Sequence, residues 1–206
     1  MADDFQGLDA SPVLRIPVDY SEDISGKMNM FRDVLQFPGT TQELVAYSDI
    51  YPRIYEVGFL FVDREEKFEF LEFWHSVRGE FSKFWYITEE IAFELLSVIG
   101  SADTSFIVAE NNFHEIFRGD ERVCFRLRNG DLLSRPIIDL THDEFNKQYT
   151  LETGVVFGRV IEILDIYGIY FIVPARFDNE VAKIVNESKV ASRCSLTIQE
   201  ILTEYP

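Results

Sequence analysis

Residues 53–87 read RIYEVGFLFVDREEKFEFLEFWHSVRGEFSKFWYI, and their apolar period changes twice. Over residues 53–62, Tyr55, Val57, Phe59 and Phe61 alternate with other side chains, the period of two that marks a half-buried strand. Asp63 ends that strand and is placed to N-cap a helix, with Glu66 three residues on as in a capping box. Phe70, Trp74, Val77 and Phe81 then recur at spacings of four, three and four, so a helix would carry them as one stripe. Gly79 stands where a C-cap glycine belongs. KFWYI returns to strand, with Trp85 and Ile87 on one side and Phe84 and Tyr86 on the other.

A strand, helix, strand corner is therefore predicted. Its aromatic anchors are Phe70, Trp74, Phe81 and Trp85, which fill the space between helix and sheet. The competing reading is that some of these rings leave the domain and pack on another subunit, as aromatic anchors do at interfaces.

Downstream of Gly100 the pattern is of consecutive strands. RVCFRLR (122–128) alternates strictly and runs into Asn129-Gly130, a strong hairpin signal, after which DLLSRPII returns. QYTL, VVFGRVIEIL, GIYFIVPARF, VAKIV and SLTIQEI are further strand candidates, while TEEIAFELLSVIG (88–100) fits either a short helix or a buried strand. Upstream, FRDVLQFPGTT (31–41) carries a turn at Pro38-Gly39. With no βαβ rhythm, the expected fold is mainly β (α+β): an antiparallel β-sandwich or curved sheet with one amphipathic helix packed on it. Residues 1–23, with six acids and two prolines, read as an extended arm, either loose or docked on a neighbour. Residues 24–206 read as a single β-rich domain.

Composition narrows the function. The 206-residue chain carries 36 acidic and 19 basic side chains, a formal charge of −17, which argues against general binding to nucleic acid or to an anionic membrane. The first 20 residues lack the basic and apolar regions of a signal peptide, and no apolar run is long enough to span a bilayer. Cys124 and Cys194 show no metal or disulfide pattern and read as two buried thiols. No cofactor is expected.

Catalytic motifs are sparse. GxGxxG, the P-loop, GxSxG and HExxH do not occur. Glu72 and His75 have the spacing of half a carboxylate-bridged metal site but no second half, and His142, Asp143 and Glu144 read as a solvated corner. The polar feature with most content is an arginine stripe. Arg122, Arg126 and Arg128 are expected on one face of a strand, with Arg135 on its hairpin partner. Such a cluster is either neutralised by intrachain acids or docks on an acidic surface of another copy or partner.

The ordered set FxxFWxxxRG (70–79), FWHSVRGEFSKFW (73–85), VPARFD (173–178) and LTIQEI (196–201) resembles bacteriophage tail-tip and distal tail proteins, a group also found in prophages and gene transfer particles. The likeness spans roughly residues 30–202 and is weakest over TTQELVAYSDIYPRIYEV (40–57). The resemblance implies a β-rich, non-enzymatic virion component at the tail tip. It would form a ring, a hexamer by the resemblance, between the tail tube protein and hub or baseplate proteins, with no sequence-specific nucleic acid partner. Arg122, Arg126, Arg128, Arg135, Arg176 and Asp178 are the candidate subunit contacts. The alternatives are a host-recognition module, or a cell-wall hydrolase with an acid such as Glu144.

Overall fold

The structure, a computed structural model, describes residues 4–5, 8–16, 19, 25–28, 32–36, 42–46, 53–115, 117, 119, 121–186, 188 and 191–201. In chain order the strands are β1 (Asp4–Phe5), β2 (Val13–Leu14), β3 (Ser25–Met28), β4 (Arg32–Gln36), β5 (Gln42–Ala46) and β6 (Arg53–Phe61). The helix α1 (Arg64–Ser76) follows. Then come β7 (Phe84–Phe93), β8 (Ser105–Ala109), β9 (Arg122–Leu127), β10 (Leu132–Pro136), β11 (Asp139–Asp143), β12 (Gln148–Glu152), β13 (Ile166–Phe177), β14 (Ile184–Asn186) and β15 (Ser192–Glu200). The protein is mostly strand, with one helix packed on a sheet, as its apolar periods predict.

The chain divides into two compact units. One comprises residues 1–13 and 85–173, the other residues 14–84 and 174–205, so β7 and β13 each contribute to both. No shift in composition marks these crossings, because they fall inside continuous strands.

In the second unit β6 lies between β3 and β15, both antiparallel to it. β14 and the end of β13 pair with opposite ends of β15. β4 and β5 form a hairpin; the Pro38-Gly39 turn expected between them lies outside the described residues. On β6, Val57, Phe59 and Phe61 are buried by alternation. Phe70 of α1 drops between Phe59 and Phe61, with ring centroids 5.2 and 5.1 Å away.

Both ends of α1 are closed by its own neighbours. Asp63 accepts from Glu66 N–H at 2.9 Å, and the Glu66 carboxylate reaches back to Val62 N–H at 2.8 Å. At the other end Gly79 N–H donates to Trp74 C=O and Arg78 N–H to His75 C=O, the two bonds of a Schellman motif. The left-handed turn is thus taken by Arg78 (φ 53°) as well as by Gly79 (φ 62°). A Cβ at Gly79 would stand 3.0 Å from the Trp74 indole, so close approach as well as dihedral favours the glycine.

The first unit is built on β10, β9 and the first part of β13, paired antiparallel, with β7 also pairing β13. β11, β12 and β8 form a separate three-stranded sheet. Between these elements lies a core that includes Phe93, Phe106, Val108, Phe125, Leu133, Tyr149 and Phe157. The ambiguous segment after Thr88 continues β7 as far as Phe93 rather than turning into helix. VVFGRVIEIL, expected to be a strand, forms only a bridge from Ile161 to Ile99 and a 3-10 turn at Ile163–Asp165. Gly154 and Gly158, both at positive φ, break the pleat there.

Candidate functional site

The β9–β10 hairpin decides where the arginines point. Leu127 N–H donates to Asp131 C=O and Gly130 N–H to Leu127 C=O, so the loop holds three residues, Arg128-Asn129-Gly130, with Gly130 left-handed at φ 89°. A two-residue Asn-Gly loop would have set Arg135 opposite Cys124. The third loop residue shifts the register by one and sets it opposite Val123. A slip of one residue turns a side chain to the other face.

Arg135 therefore does not share a face with Arg122 and Arg126, and it is not a surface contact. It is fully buried (0% exposed), with its guanidinium 5.3 Å from the Phe157 ring centroid. Its Nη2 donates to Asp4 Oδ2 at 2.8 Å and to Phe157 C=O at 3.1 Å, and its Nη1 to Ser134 C=O at 2.7 Å. Arg128 is exposed in the loop, and its N–H donates to Asp165 C=O at 2.8 Å.

Arg122 and Arg126 flank Cys124 on one face of β9, and each lies over a ring: Arg122 at 5.8 Å from Trp85, Arg126 at 5.3 Å from Tyr170. That face holds Trp85, Ile87, Cys124, Leu132, Tyr170 and Ile172, with Phe5, Leu8 and Val13 of the first residues packed against it. The expected arm is in part strand. Asp4–Phe5 pairs parallel with Leu133 and Ser134 of β10, Asp9 accepts from Trp85 Nε1–H at 3.1 Å, and Pro12 C=O accepts from Trp85 N–H at 2.8 Å.

The four aromatic anchors divide. Phe70 is buried as expected, and Trp74 is half-buried, its ring 4.6 Å from Phe177. Trp85 is buried in the first unit, so the ring that meets the helix from β7 is its neighbour Phe84, 5.4 Å from Phe73 and 4.6 Å from Phe177. Phe81 is 82% exposed. Its place on the stripe assumed a helix running past Ser76, but the Schellman motif ends the helix one turn earlier. Arg176 and Asp178 are both exposed on either side of buried Phe177; Arg176 donates to Gln199 Oε1 at 3.2 Å.

Pairwise sequence spacing missed a second polar cluster. His142 does not work with Asp143 and Glu144: its Nε2 is 2.8 Å from Glu110 Oε1, and its ring stacks on His114 with centroids 4.7 Å apart. His114 Nδ1 shares a 2.7 Å hydrogen bond with the hydroxyl of fully buried Tyr149. Lys147 Nζ lies 3.3 Å from Glu110 Oε2. Burial works to raise the Glu110 carboxyl, but hydrogen bonds from Lys147 and His142 outweigh it and hold it below its ordinary value. Asp143 instead shapes the β11–β12 turn; the backbone N–H of Asn146 leads the hydrogen bonds that lower its pKa. Glu144 is exposed.

The cluster ties the end of β8, the following 3-10 turn, β11 and β12 together through hydrogen bonds and ring contacts. Among the described residues no group of three or more His, Cys, Asp or Glu is placed to hold a metal ion. Cys124 and Cys194 are both buried free thiols, and burial pushes Cys194 up to about 11, far from the reactive range. No protein-family model matches this chain, and no curated protein matches it.

Proposed function

We propose that the protein is a structural component of a bacteriophage tail tip, a distal tail or baseplate ring subunit that joins the tail tube to the hub and does no chemistry of its own. The observation that carries this reading is where the motifs of the resemblance meet. Phe177 of VPARFD packs at 4.6 Å on both Trp74 and Phe84 of FWHSVRGEFSKFW, although about a hundred residues separate the two stretches. Motifs that are short and weak singly are here the two halves of one aromatic core, as expected if they recur because they build the fold rather than catalyse a reaction.

Surface chemistry supports the same reading. A chain of charge −17 repels its own copies, so contacts between them draw on apolar and cationic surface. Val160, Leu164 and Tyr167 stand exposed along one stretch of the first unit, and Arg128 and Arg176 are exposed cations. A ring needs two unlike, complementary faces on each copy.

The test is to locate the protein in purified particles by electron microscopy and to count it by quantitative mass spectrometry. A fixed ring of copies at the distal end of the tail is expected. Tails that assemble and infect normally without it, or turnover of peptidoglycan by the pure chain, would overturn the proposal.

A further inference from the structure

The stretch Asp4–Val13 belongs by its contacts to the first unit, yet the chain leaves it at Leu14 directly into the second. Its contacts reach sequence-distant residues. Asp4 meets Arg135, 131 positions away, and Asp9 meets Trp85, 76 positions away. Phe5, Leu8 and Val13 cover Trp85, Cys124, Leu132, Tyr170 and Ile172. The pairing with β10 is parallel and two residues long. Each contact therefore has the character of a ligand on a receptor: a segment with the sequence pattern Asp-Phe-x-x-Leu-Asp, read by a buried guanidinium, an indole N–H and an apolar strip.

From this we infer that the segment from Asp4 to Val13 is exchangeable, and that in the assembled protein the arm of one copy occupies the Trp85–Arg135 face of the next. The inference rests on the ring reading above. Donor and acceptor are the same sequence, so exchange conserves every contact, the Asp4–Arg135 pair included; only the entropy of association has to be offset, by the other contacts of the ring. Because the arm and its acceptor face are different surfaces, the exchange can run head-to-tail from copy to copy, the kind of contact that closes a ring.

The test uses the full chain with the photocrosslinking residue p-benzoylphenylalanine in place of Phe5, mixed with an equal amount of isotopically heavy natural protein. After illumination, mass spectrometry identifies whether the light position-5 peptide is joined to heavy or light β10 peptides, while mass photometry reports the oligomeric state of the same sample. Light-to-heavy links that rise with oligomer formation are expected. Rings whose links are all light-to-light would overturn the exchange and leave the ring reading standing. A chain that stays monomeric with only light-to-light links would overturn both. A second measurement avoids the unnatural residue: Phe5→Cys and Ser134→Cys chains, each also Cys124→Ala because Cys124 faces Ser134, are mixed and oxidised. Disulfide-linked dimers support the exchange. Their absence, when the double variant closes its bond within one chain, overturns it.

Discussion

Phe84 and Trp85 are neighbours in the chain and end in cores of different kinds. Phe84 joins Phe73, Trp74 and Phe177 in a cluster of rings packed edge and face on one another beneath the helix. Trp85 faces the opposite way. It is covered by an acidic strand from the start of the chain and overlain by Arg122. The first core shows ring-on-ring packing; the second mixes burial with a cation over a ring, an indole hydrogen bond and, on the reverse face of the same sheet, an ion pair. The difference predicts how each fails: the ring cluster by loss of volume, the strapped face by loss of a charge or of the strap.

The largest effect belongs to the ring cluster. Phe70→Ala removes a fully buried ring wedged between Phe59 and Phe61 and is expected to cost about 3–5 kcal/mol in urea unfolding. A cost below about 1 kcal/mol would mean that the helix is not held by this ring. On the other side of the comparison, Asp4→Asn keeps shape and removes charge. Arg135 then stays buried with carbonyl partners but without the Asp4 carboxylate, and the expected cost is about 3 kcal/mol, at the low end for a broken buried pair because Asp4 is partly solvated. If Asp4→Asn is silent while Phe70→Ala is not, the ion pair does not fasten the strap.

What was legible in sequence follows the range of the interaction. The β6–α1–β7 corner was readable because alternation, the Asp63 cap and the helical stripe are all local. The hairpin at Asn129-Gly130 was readable as a hairpin, but its loop length was not, and that single extra residue moved Arg135 from an expected surface stripe to the interior. Phe81 failed for a related reason: the stripe periodicity continued past a stop that needed only Arg78 and Gly79. The arm over Trp85, the Glu110–His142–His114–Tyr149 cluster and the division into two units depend on residues tens of positions apart. No local pattern encodes those. Asn111, whose amide donates to Ala92 C=O at 2.6 Å, is another such link.

Gly79→Ala probes the closing turn of the ring cluster. The left-handed dihedral costs a Cβ-bearing residue about 1–2 kcal/mol, and the Trp74 indole must also shift from a contact of 3.0 Å. The expected loss in thermal unfolding is therefore about 1–2 kcal/mol, with a change in near-ultraviolet dichroism from the displaced indole. An unaltered tryptophan signal would argue against that contact. Acid bears instead on the first unit. The lowered carboxyls of Glu110, Asp131 and Asp143 are stabilising when ionised in the fold, so their contribution is complete above the ordinary carboxylate pKa and is lost as pH falls through the lowered folded values. Stability measured from pH 6 downward should hold until about pH 4 and then decline. In Glu110→Gln the decline should be shallower.

Phe81→Ser separates a ring that builds the fold from one that merely lies in the same aromatic stretch. Phe81 sits beyond the helix in the turn that follows Gly79, its ring 82% exposed, while its backbone N–H donates to Arg78 C=O at 3.4 Å. Serine preserves that backbone and suits a turn, and the side chain it replaces buries little area. The expected change in unfolding free energy is within about 0.5 kcal/mol, the range of surface substitutions. Phe70 and Phe81 thus differ several-fold in effect although both belong to one heptad-like stripe in sequence. If Phe81→Ser leaves the isolated chain untouched but weakens its self-association in sedimentation, the ring is a contact between copies, the second of the two readings that the aromatic stretch allows. Equal sedimentation of the variant and the natural chain would remove it from that role.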